Sequence, residues 1–230
     1  VSAGWILPPR IHAGSEAVLQ ARLSADPNAP PPTLLACDPR GKAEPPEARL
    51  AGLSPPGSRG LLFNPSLAGG SSLDESPDIR GAFLGLDLGH ARADLIRASM
   101  EGVAMGLRMA LDELRSLTPL GSEMTVVGGG SRSGLWRQIL ADVYDLDIVK
   151  TSVDQHAAAL GAAAVAAVGT GLWEDFDRID EVHELEGRSR PEASNRRIYD
   201  LLQPIYVMAS SMQARLGKEL AKAAGGSREA

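Results

Sequence analysis

The sequence contains very little cysteine: Cys37 is the single cysteine among its 230 residues. One thiol cannot form an intrachain disulfide, which excludes the disulfide-rich class of small secreted domains. We interpret Cys37 as a small, half-buried apolar side chain. This use of cysteine is typical of a reducing compartment, and we expect the protein to be cytoplasmic.

Long apolar runs and an excess of basic residues are missing as well. No stretch approaches the roughly eighteen consecutive apolar residues of a membrane-spanning helix. The 23 Lys and Arg residues are outnumbered by 29 Asp and Glu residues, which gives a net charge of −6, whereas affinity for nucleic acid depends on clustered positive charge. We therefore expect neither a membrane nor a nucleic acid as a partner.

The residues that are present predict an ordinary globular protein of the α/β class. With 43% hydrophobic and 23% charged residues, a chain of 230 residues can bury a full core. We expect one domain over residues 1–220, with a loop-rich region at about 26–59 and a frayed tail at 221–230. Because the chain begins with Val1 and the letters VSAG are typical of a strand entering a turn, we also expect further sequence upstream.

The chain is arranged around the stretch from Glu123 to Asp145, EMTVVGGGSRSGLWRQILADVYD. Apolar and β-branched residues from Met124 to Val127 predict a short buried strand that ends at Gly128. After the glycines, apolar residues at three- and four-residue spacing predict a helix with one apolar face: Leu135, Trp136, Ile139, Leu140 and Val143. The pattern therefore predicts a strand, a turn and a helix.

The turn itself is formed by Gly128, Gly129 and Gly130. Glycine has no Cβ, so the backbone can adopt a positive φ and a ligand can approach its N–H groups closely. Ser131 or Ser133 can cap the following helix, whose N-terminus carries the positive end of the helix dipole. We expect the turn to bind an anion, which we interpret as the phosphate of a nucleotide.

The motifs of two better-known phosphate-binding turns, the Walker loop and the dinucleotide-binding turn, do not match this sequence well. The Walker loop needs a lysine and a Ser or Thr directly after the glycines, and neither pair follows Gly130. The dinucleotide motif is matched only loosely by Gly128, Gly130 and Ser133, and Lys150 stands near the place where that motif has an acidic residue. A dehydrogenase domain is therefore disfavoured.

Long helices and a second strand flank the glycine turn. After His90, apolar residues at three- and four-residue spacing predict a core helix that ends before Pro119: Ile96, Met100, Val103, Leu107, Leu111 and Leu114. The stretch from Leu146 to Thr151 predicts a strand, which completes a βαβ unit with a right-handed crossover. A last helix is expected from Ala193 to about Leu220.

Small residues dominate the stretch from Ala157 to Val168, AAALGAAAVAAV. Glycine inside a helix costs about 1 kcal/mol relative to alanine, so we expect Gly161 to allow close packing against a neighbour or a planar ligand. His156, just before this helix, is interpreted as a capping or surface residue. The segment from Asp175 to Arg188 is expected to be a charged, solvated connection.

The first third of the chain has weaker patterns. We interpret the acidic residues Asp74, Glu75 and Asp78 as a solvated loop rather than a metal site, because no histidine or further carboxylate stands at ligand spacing. The remaining predictions are a helix at 14–23, a strand at 33–37, a weak helix near 44–52, and apolar runs at 60–67 and 83–88.

Four segments together resemble the C-terminal half of the FGGY carbohydrate kinases, in the branch that contains xylulokinase. They are FNPSLAGG, RGAFLGLDLGHARADLIRASMEGVAMGLR, VVGGGSRSGLWRQILADV and AAALGAAAVAAVGTGLW, in family order and with family-like separations. The resemblance covers roughly Val1 to Leu216, although the first sixty residues match only loosely.

This resemblance implies an actin-like ATPase, ribonuclease-H-like domain that forms the C-terminal half of a two-domain sugar kinase. It implies ATP and Mg²⁺ as cofactors, a ketopentose or similar sugar or polyol as substrate, and a homodimer as a possible assembly. It also implies that the turn contacts the nucleotide through Gly128, Gly129, Gly130, Ser131 and Ser133. The family's general base, an aspartate, lies upstream of anything matching Val1, so the resemblance implies no catalytic residue in this chain and no sugar phosphorylation by it alone.

The sequence departs from the family pattern at two places. Gly69, Gly70 and Ser71 stand where the family usually has Gly-Glu-Arg, and His156 stands where it usually has glutamate. The sugar-side loop and one packing interaction are therefore expected to differ. The alternative function is a non-catalytic, nucleotide-binding regulatory module of the actin-like superfamily, and an upstream sugar-binding domain in the parent gene would favour the kinase.

Overall fold

The computed structural model describes residues 45–153, 156–182 and 184–225. The chain divides into two units, Val1–Leu34 and Leu35–Ala230, and every described residue belongs to the second. The helix predicted at 14–23, the strand at 33–37, Cys37 and residues 226–230 of the predicted tail lie outside the described residues.

Five short strands form two separate sheets within the residues that the structure describes. Strands β1 (Leu62–Asn64) and β2 (Ala82–Leu84) pair antiparallel, with Phe63 opposite Phe83. The second sheet has the order β3-β4-β5, formed by β3 (Glu123–Thr125), β4 (Asp147–Thr151) and β5 (Leu185–Ser189). Strand β3 runs parallel to β4, as the predicted βαβ unit requires, and β5 runs antiparallel to β4.

Six α-helices accompany these strands in the described part of the chain. They are α1 (Pro46–Ala51), α2 (Arg92–Leu117), α3 (Gly134–Tyr144), α4 (Ala157–Gly169), α5 (Ile179–Val182) and α6 (Ala193–Ala223). The bounds of α2, α3 and α6 confirm the helices predicted from apolar spacing, α4 confirms the helix predicted from small residues, and α1 confirms the weak helix near 44–52. Short 3-10 turns lie at Ser58–Gly60 and Gly129–Arg132.

The main core lies where α2, α3 and α6 meet the β3-β4-β5 sheet. Strand β4 is its centre, since Ile148 is fully buried and Val149 is 4% exposed. Burying an aliphatic side chain of this size contributes about 1.5–3 kcal/mol. The buried members of this cluster are Leu62, Ala104, Met105, Leu111, Ile139, Leu140, Ala141, Val143, Tyr144, Leu146, Ile148, Tyr199 and Tyr206.

The buried face of α2 agrees only in part with the predicted one, since Leu111 is buried and Met100 packs against the core. Leu107 and Leu114, which belong to the predicted apolar line, are 54% and 50% exposed. Apart from Leu111, the buried residues lie beside the predicted line and include charged side chains: Asp94, Arg97, Ala98, Glu101, Gly102, Ala104, Met105 and Leu111. Apolar spacing alone therefore placed only part of the core face of α2 correctly, and it gave no sign that Glu101 is buried.

Glu101 can be buried because an ion pair and several hydrogen bonds compensate the negative charge of its carboxylate. Its carboxylate accepts hydrogen bonds from Arg97 Nε at 2.7 Å, from the Tyr199 hydroxyl at 2.7 Å, from the Gly57 N–H at 2.9 Å and from Ser58 Oγ at 2.8 Å. Burial, followed by the charge of Glu101, raises the pKa of Tyr199, so its hydroxyl stays a proton donor. A buried charge is tolerated only with such partners, and this network ties the loop before β1 to α2 and α6.

The start of α2 is held by Asp94. Its carboxylate accepts a hydrogen bond from Ser54 Oγ at 2.6 Å and one from the Ala91 N–H at 2.8 Å. The hydrogen bond from Ser54, with that from Ala91, lowers the pKa of Asp94 below its ordinary value. The carboxylate also satisfies a backbone donor at the helix N-terminus and suits the helix dipole.

The region predicted as a solvated connection contains a strand. Strand β5 pairs with β4, and its side chains make ion pairs across the sheet. Arg188 contacts Asp147 at 2.7 Å and Glu123 at 2.8 Å, while Glu186 pairs with Lys150. The charges that indicated a loop in the sequence are therefore cross-strand partners.

Candidate functional site

The triple-glycine turn lies between the end of β3 and the start of α3. Backbone pairing continues one residue past β3, where the Val126 N–H donates to the Val149 carbonyl at 2.9 Å. Gly128 then adopts φ 85° and ψ −171°, a conformation that is essentially restricted to glycine. A Cβ placed on Gly128 would meet no heavy atom of the described residues within 4 Å, so this side of the turn is open.

Gly130 is required for a different reason. A Cβ on Gly130 would lie 2.9 Å from both Cδ1 and Nε1 of the Trp136 indole, closer than carbon atoms pack in proteins. Trp136 itself is partly buried against the main core. The indole edge therefore lies directly against the backbone of the turn, and only glycine leaves room for it.

The two serines after the glycines are buried and stabilise the turn by hydrogen bonds to the backbone. Ser131 is fully buried, and its Oγ donates to the Gly128 carbonyl at 2.7 Å. Ser133 is 5% exposed and is the N-cap of α3, where its Oγ accepts the Trp136 N–H at 3.1 Å. The predicted cap at Ser133 is confirmed. A contact between either serine and a nucleotide stays a prediction, and in this conformation both hydroxyls are engaged within the protein.

Helix α3 adds a positive field to the turn. The first turn of α3 contains no acidic residue, and the N-terminal end of a helix behaves as a partial positive charge. Arg132 is exposed on the turn. Arg137, one turn into the helix, donates from Nη1 to the Ser131 carbonyl. The arrangement can hold an anion against the backbone of the turn.

The small-residue helix α4 does not pack as predicted. A Cβ on Gly161 would meet no heavy atom of the described residues within 4 Å, and Val165 is 63% exposed. The buried residues of α4 are Ala164 and Ala167. None of the described residues is therefore the close neighbour expected at Gly161, because small side chains permit close packing but do not cause it; the close approach of a planar ligand stays a prediction.

The other predicted positions take structural or surface roles. Asp74 accepts hydrogen bonds from the Ser71 N–H at 2.7 Å and from Ser210 Oγ at 3.3 Å, which ties the acidic loop to α6. His156 is exposed and precedes α4 without a side-chain cap. Among the described residues, no group of three or more His, Cys, Asp or Glu side chains could hold a metal ion.

Sequence reasoning missed the contacts that fix the turn from α3. Trp136 and Arg137 were assigned only to the helix, although they stand three and four residues after the Ser133 cap. Side chains in the first turn of a helix point back toward its N-terminus, which is the signal that could have identified them.

The family model described as "FGGY family of carbohydrate kinases, C-terminal domain" matches residues 12–170. The chain belongs to this family. As an FGGY domain it is 33% identical over 160 residues to a gluconokinase of Bacillus subtilis, covering 68% of this chain and 31% of that protein. It is 34% identical over 167 residues to a xylulose kinase of Staphylococcus epidermidis, covering 68% of this chain and 32% of that one.

Solved structures of the family show the same fold. A ligand-bound xylulose kinase from Lactobacillus acidophilus matches with a TM-score of 0.69 and 26% identity, covering 76% of this chain and 35% of that one. A glycerol kinase from Plasmodium falciparum, solved with ADP, matches with a TM-score of 0.60 at 18% identity, which shows the fold alone; the match covers 76% of this chain and 34% of that one. The FGGY domain described here therefore has the actin-like ATPase, ribonuclease-H-like fold predicted from the resemblance.

The FGGY chain spans about a third of the length of these relatives. The relatives include both xylulose kinases and gluconokinases, so these matches do not select one sugar. No helix among the described residues is long and apolar enough to cross a membrane.

Proposed function

We propose that this chain is the nucleotide-binding half of an ATP-dependent carbohydrate kinase, with the triple-glycine turn as the nucleotide contact. The observation that carries the proposal is the geometry of Gly128, which combines a glycine-only backbone conformation with an open face at the N-terminus of α3. Glycine adopts this conformation without strain, and such glycines are typical of places where a ligand approaches the backbone closely. Membership of the FGGY family supports a nucleotide as the ligand.

The chemistry assigned to the turn is binding and orientation. The backbone of Gly128, Gly129 and Gly130 would receive the ribose and phosphates, because no side chain there keeps a ligand away from the peptide groups. Ser131 and Ser133 would keep the turn in this shape through their bonds to the Gly128 carbonyl and the Trp136 N–H. Phosphoryl transfer depends mainly on positioning and on electrostatic stabilisation, so such a cradle contributes geometry.

Magnesium enters this proposal as part of the MgATP substrate. The described residues contain no ligand set for a metal ion, and Mg²⁺ in kinases is commonly held through the phosphates of the nucleotide. We therefore assign no protein ligand to it.

No residue of this chain is assigned as the general base. A base must lie within hydrogen-bond reach of the hydroxyl that it deprotonates. The acidic candidates, Asp74 and Asp78, lie in the loop that packs on α6, and Asp74 is engaged by Ser71 and Ser210. We propose that the sugar, a ketopentose or a similar sugar or polyol, meets its base in a part of the enzyme that matches the remaining two thirds of the relatives.

Two assays on the purified 230-residue chain test this function. Calorimetric titration should show weak, saturable binding of MgADP and MgATP. Incubation with MgATP and a panel of pentuloses, hexuloses and polyols should show no sugar-dependent release of ADP. Absence of any nucleotide binding by folded protein would refute the nucleotide role, and robust turnover abolished by Asp74→Asn or Asp78→Asn would place the base inside this chain.

A further inference from the structure

The first turn of α3 reaches back to the glycine turn through one charged contact. Arg137 donates from Nη1 to the carbonyl oxygen of Ser131. Ser131 in turn donates twice to the Gly128 carbonyl, from its N–H at 3.1 Å and from Oγ at 2.7 Å. A continuous series of hydrogen bonds therefore connects the rigid helix to the residue whose backbone conformation opens the turn.

The guanidinium of Arg137 has no competing attachment in the described part of the chain. Its Nε is buried there without a hydrogen-bond partner, and none of the ion pairs of the described residues includes Arg137. The Ser131 carbonyl is thus the group that this side chain holds. A hydrogen bond with a charged donor is also stronger than one between neutral groups.

A turn rich in glycine needs such an anchor more than other loops do. Glycine loses more conformational freedom on ordering than any other residue, so a turn with three of them samples many shapes when it is not held. For a ligand that binds only one of these shapes, the apparent association constant falls in proportion as the fraction of molecules with that shape falls.

We propose that Arg137 is a positioning residue that keeps the triple-glycine turn in its nucleotide-receiving shape through the Ser131 carbonyl. The inference rests on the proposed nucleotide role of the turn. It assigns Arg137 no contact with the nucleotide, so its effect should not depend on the number of phosphates.

The chain offers a matched control in Arg115. Its Nη2 donates to the Tyr144 carbonyl at 2.5 Å, so it makes the same guanidinium-to-backbone bond at the opposite end of α3. Arg115→Met and Arg137→Met each remove a guanidinium-to-backbone hydrogen bond at one end of α3, and Arg115→Met also removes the ion pair of Arg115, which belongs to α2, with Asp112. Only the second change should affect the turn.

Calorimetric titration of the 230-residue chain with MgADP and with MgATP is the first measurement. Arg137→Met should weaken both affinities by the same factor of about ten, the factor that corresponds to loss of one charge-assisted hydrogen bond. Arg137→Lys, whose ammonium can still donate to the Ser131 carbonyl, should recover most of the loss, and Arg115→Met should bind like the parent protein. A loss that is much larger for MgATP than for MgADP would make Arg137 a direct phosphate ligand and overturn the positioning role.

Amide hydrogen exchange without nucleotide separates this inference from the proposed function. Peptides covering 126–134 should exchange faster in Arg137→Met and unchanged in Arg115→Met, whether or not the parent protein binds nucleotide. If Arg137→Met does not fold by far-UV circular dichroism, Arg137→Gln, which keeps a neutral donor, replaces it in both measurements. Unchanged exchange in these peptides, or faster exchange with unaltered nucleotide affinity, would overturn the proposal.

Discussion

The triple-glycine turn and helix α4 are two regions of small residues, and the structure uses them in opposite ways. In the turn, Gly130 lies against the Trp136 indole and Ser131 is fully buried. In α4, Gly161 faces open space among the described residues and Val165 is 63% exposed. A missing side chain therefore has structural meaning only where something approaches the backbone or where the backbone needs a conformation that other residues avoid.

The largest effect is expected for Gly130→Val. Its Cβ would lie 2.9 Å from the Trp136 indole, so either the turn or the indole must move, and we expect a loss of stability of about 3 kcal/mol, at the upper end for overpacking. The midpoint of urea unfolding measures this loss. The same change made in a Trp136→Ala background should cost clearly less, and an equal cost in both backgrounds would show that the indole does not restrict Gly130.

A smaller loss is expected for Gly128→Ala. The Cβ meets open space, so the cost arises from the backbone alone, which at φ 85° and ψ −171° is strained for alanine by about 1–2 kcal/mol. Urea unfolding measures this cost as well, and MgADP titration should show weaker binding if the turn changes shape to relieve the strain. An alanine variant as stable as the parent would mean that Gly128 does not need its special conformation.

The smallest effect, with opposite sign, is expected for Gly161→Ala. Alanine is a better helix former than glycine by about 1 kcal/mol, and no described neighbour opposes the added methyl group. The free energy of unfolding should therefore rise. Gly161→Leu should be similarly tolerated, whereas a destabilisation of both variants would restore the close-packing role that the sequence suggested.

The strand-turn-helix unit could be predicted because its signals are local. The spacing of Ile139, Leu140 and Val143 and the cap at Ser133 all lie within a few residues of the elements that they define. The same holds for the bounds of α2 and α6, which follow from repeated apolar spacing and from Pro119 just beyond the end of α2.

The parts that could not be predicted depend on distant partners. Glu101 looks like a solvent-facing charge until Tyr199, 98 residues further on, and Ser58, 43 residues before it, are brought beside it. Strand β5 looks like a loop until Arg188 meets Asp147 across the sheet, 41 residues away. The spacing of residues along the sequence cannot predict these contacts, because tertiary packing determines them.

The exposure of α4 is another feature that depends on distant residues and could not be predicted from the sequence. The small residues of α4 indicate that a neighbour could pack closely at Gly161. Only the structure shows that none of the described residues packs there. The proposal that the nucleotide contacts the turn rather than α4 rests instead on the backbone of Gly128, which has a positive φ that Gly161 lacks.

Titration of glycine-¹⁵N-labelled protein with MgADP tests this assignment most directly. The amide signals of Gly128, Gly129, Gly130 and Gly161 can be assigned by single Gly→Ala variants and followed together in one sample. We predict saturable shifts of the turn glycines and an unmoved Gly161 signal. Shifts at Gly161 with unmoved turn glycines would contradict the account and place the nucleotide against α4.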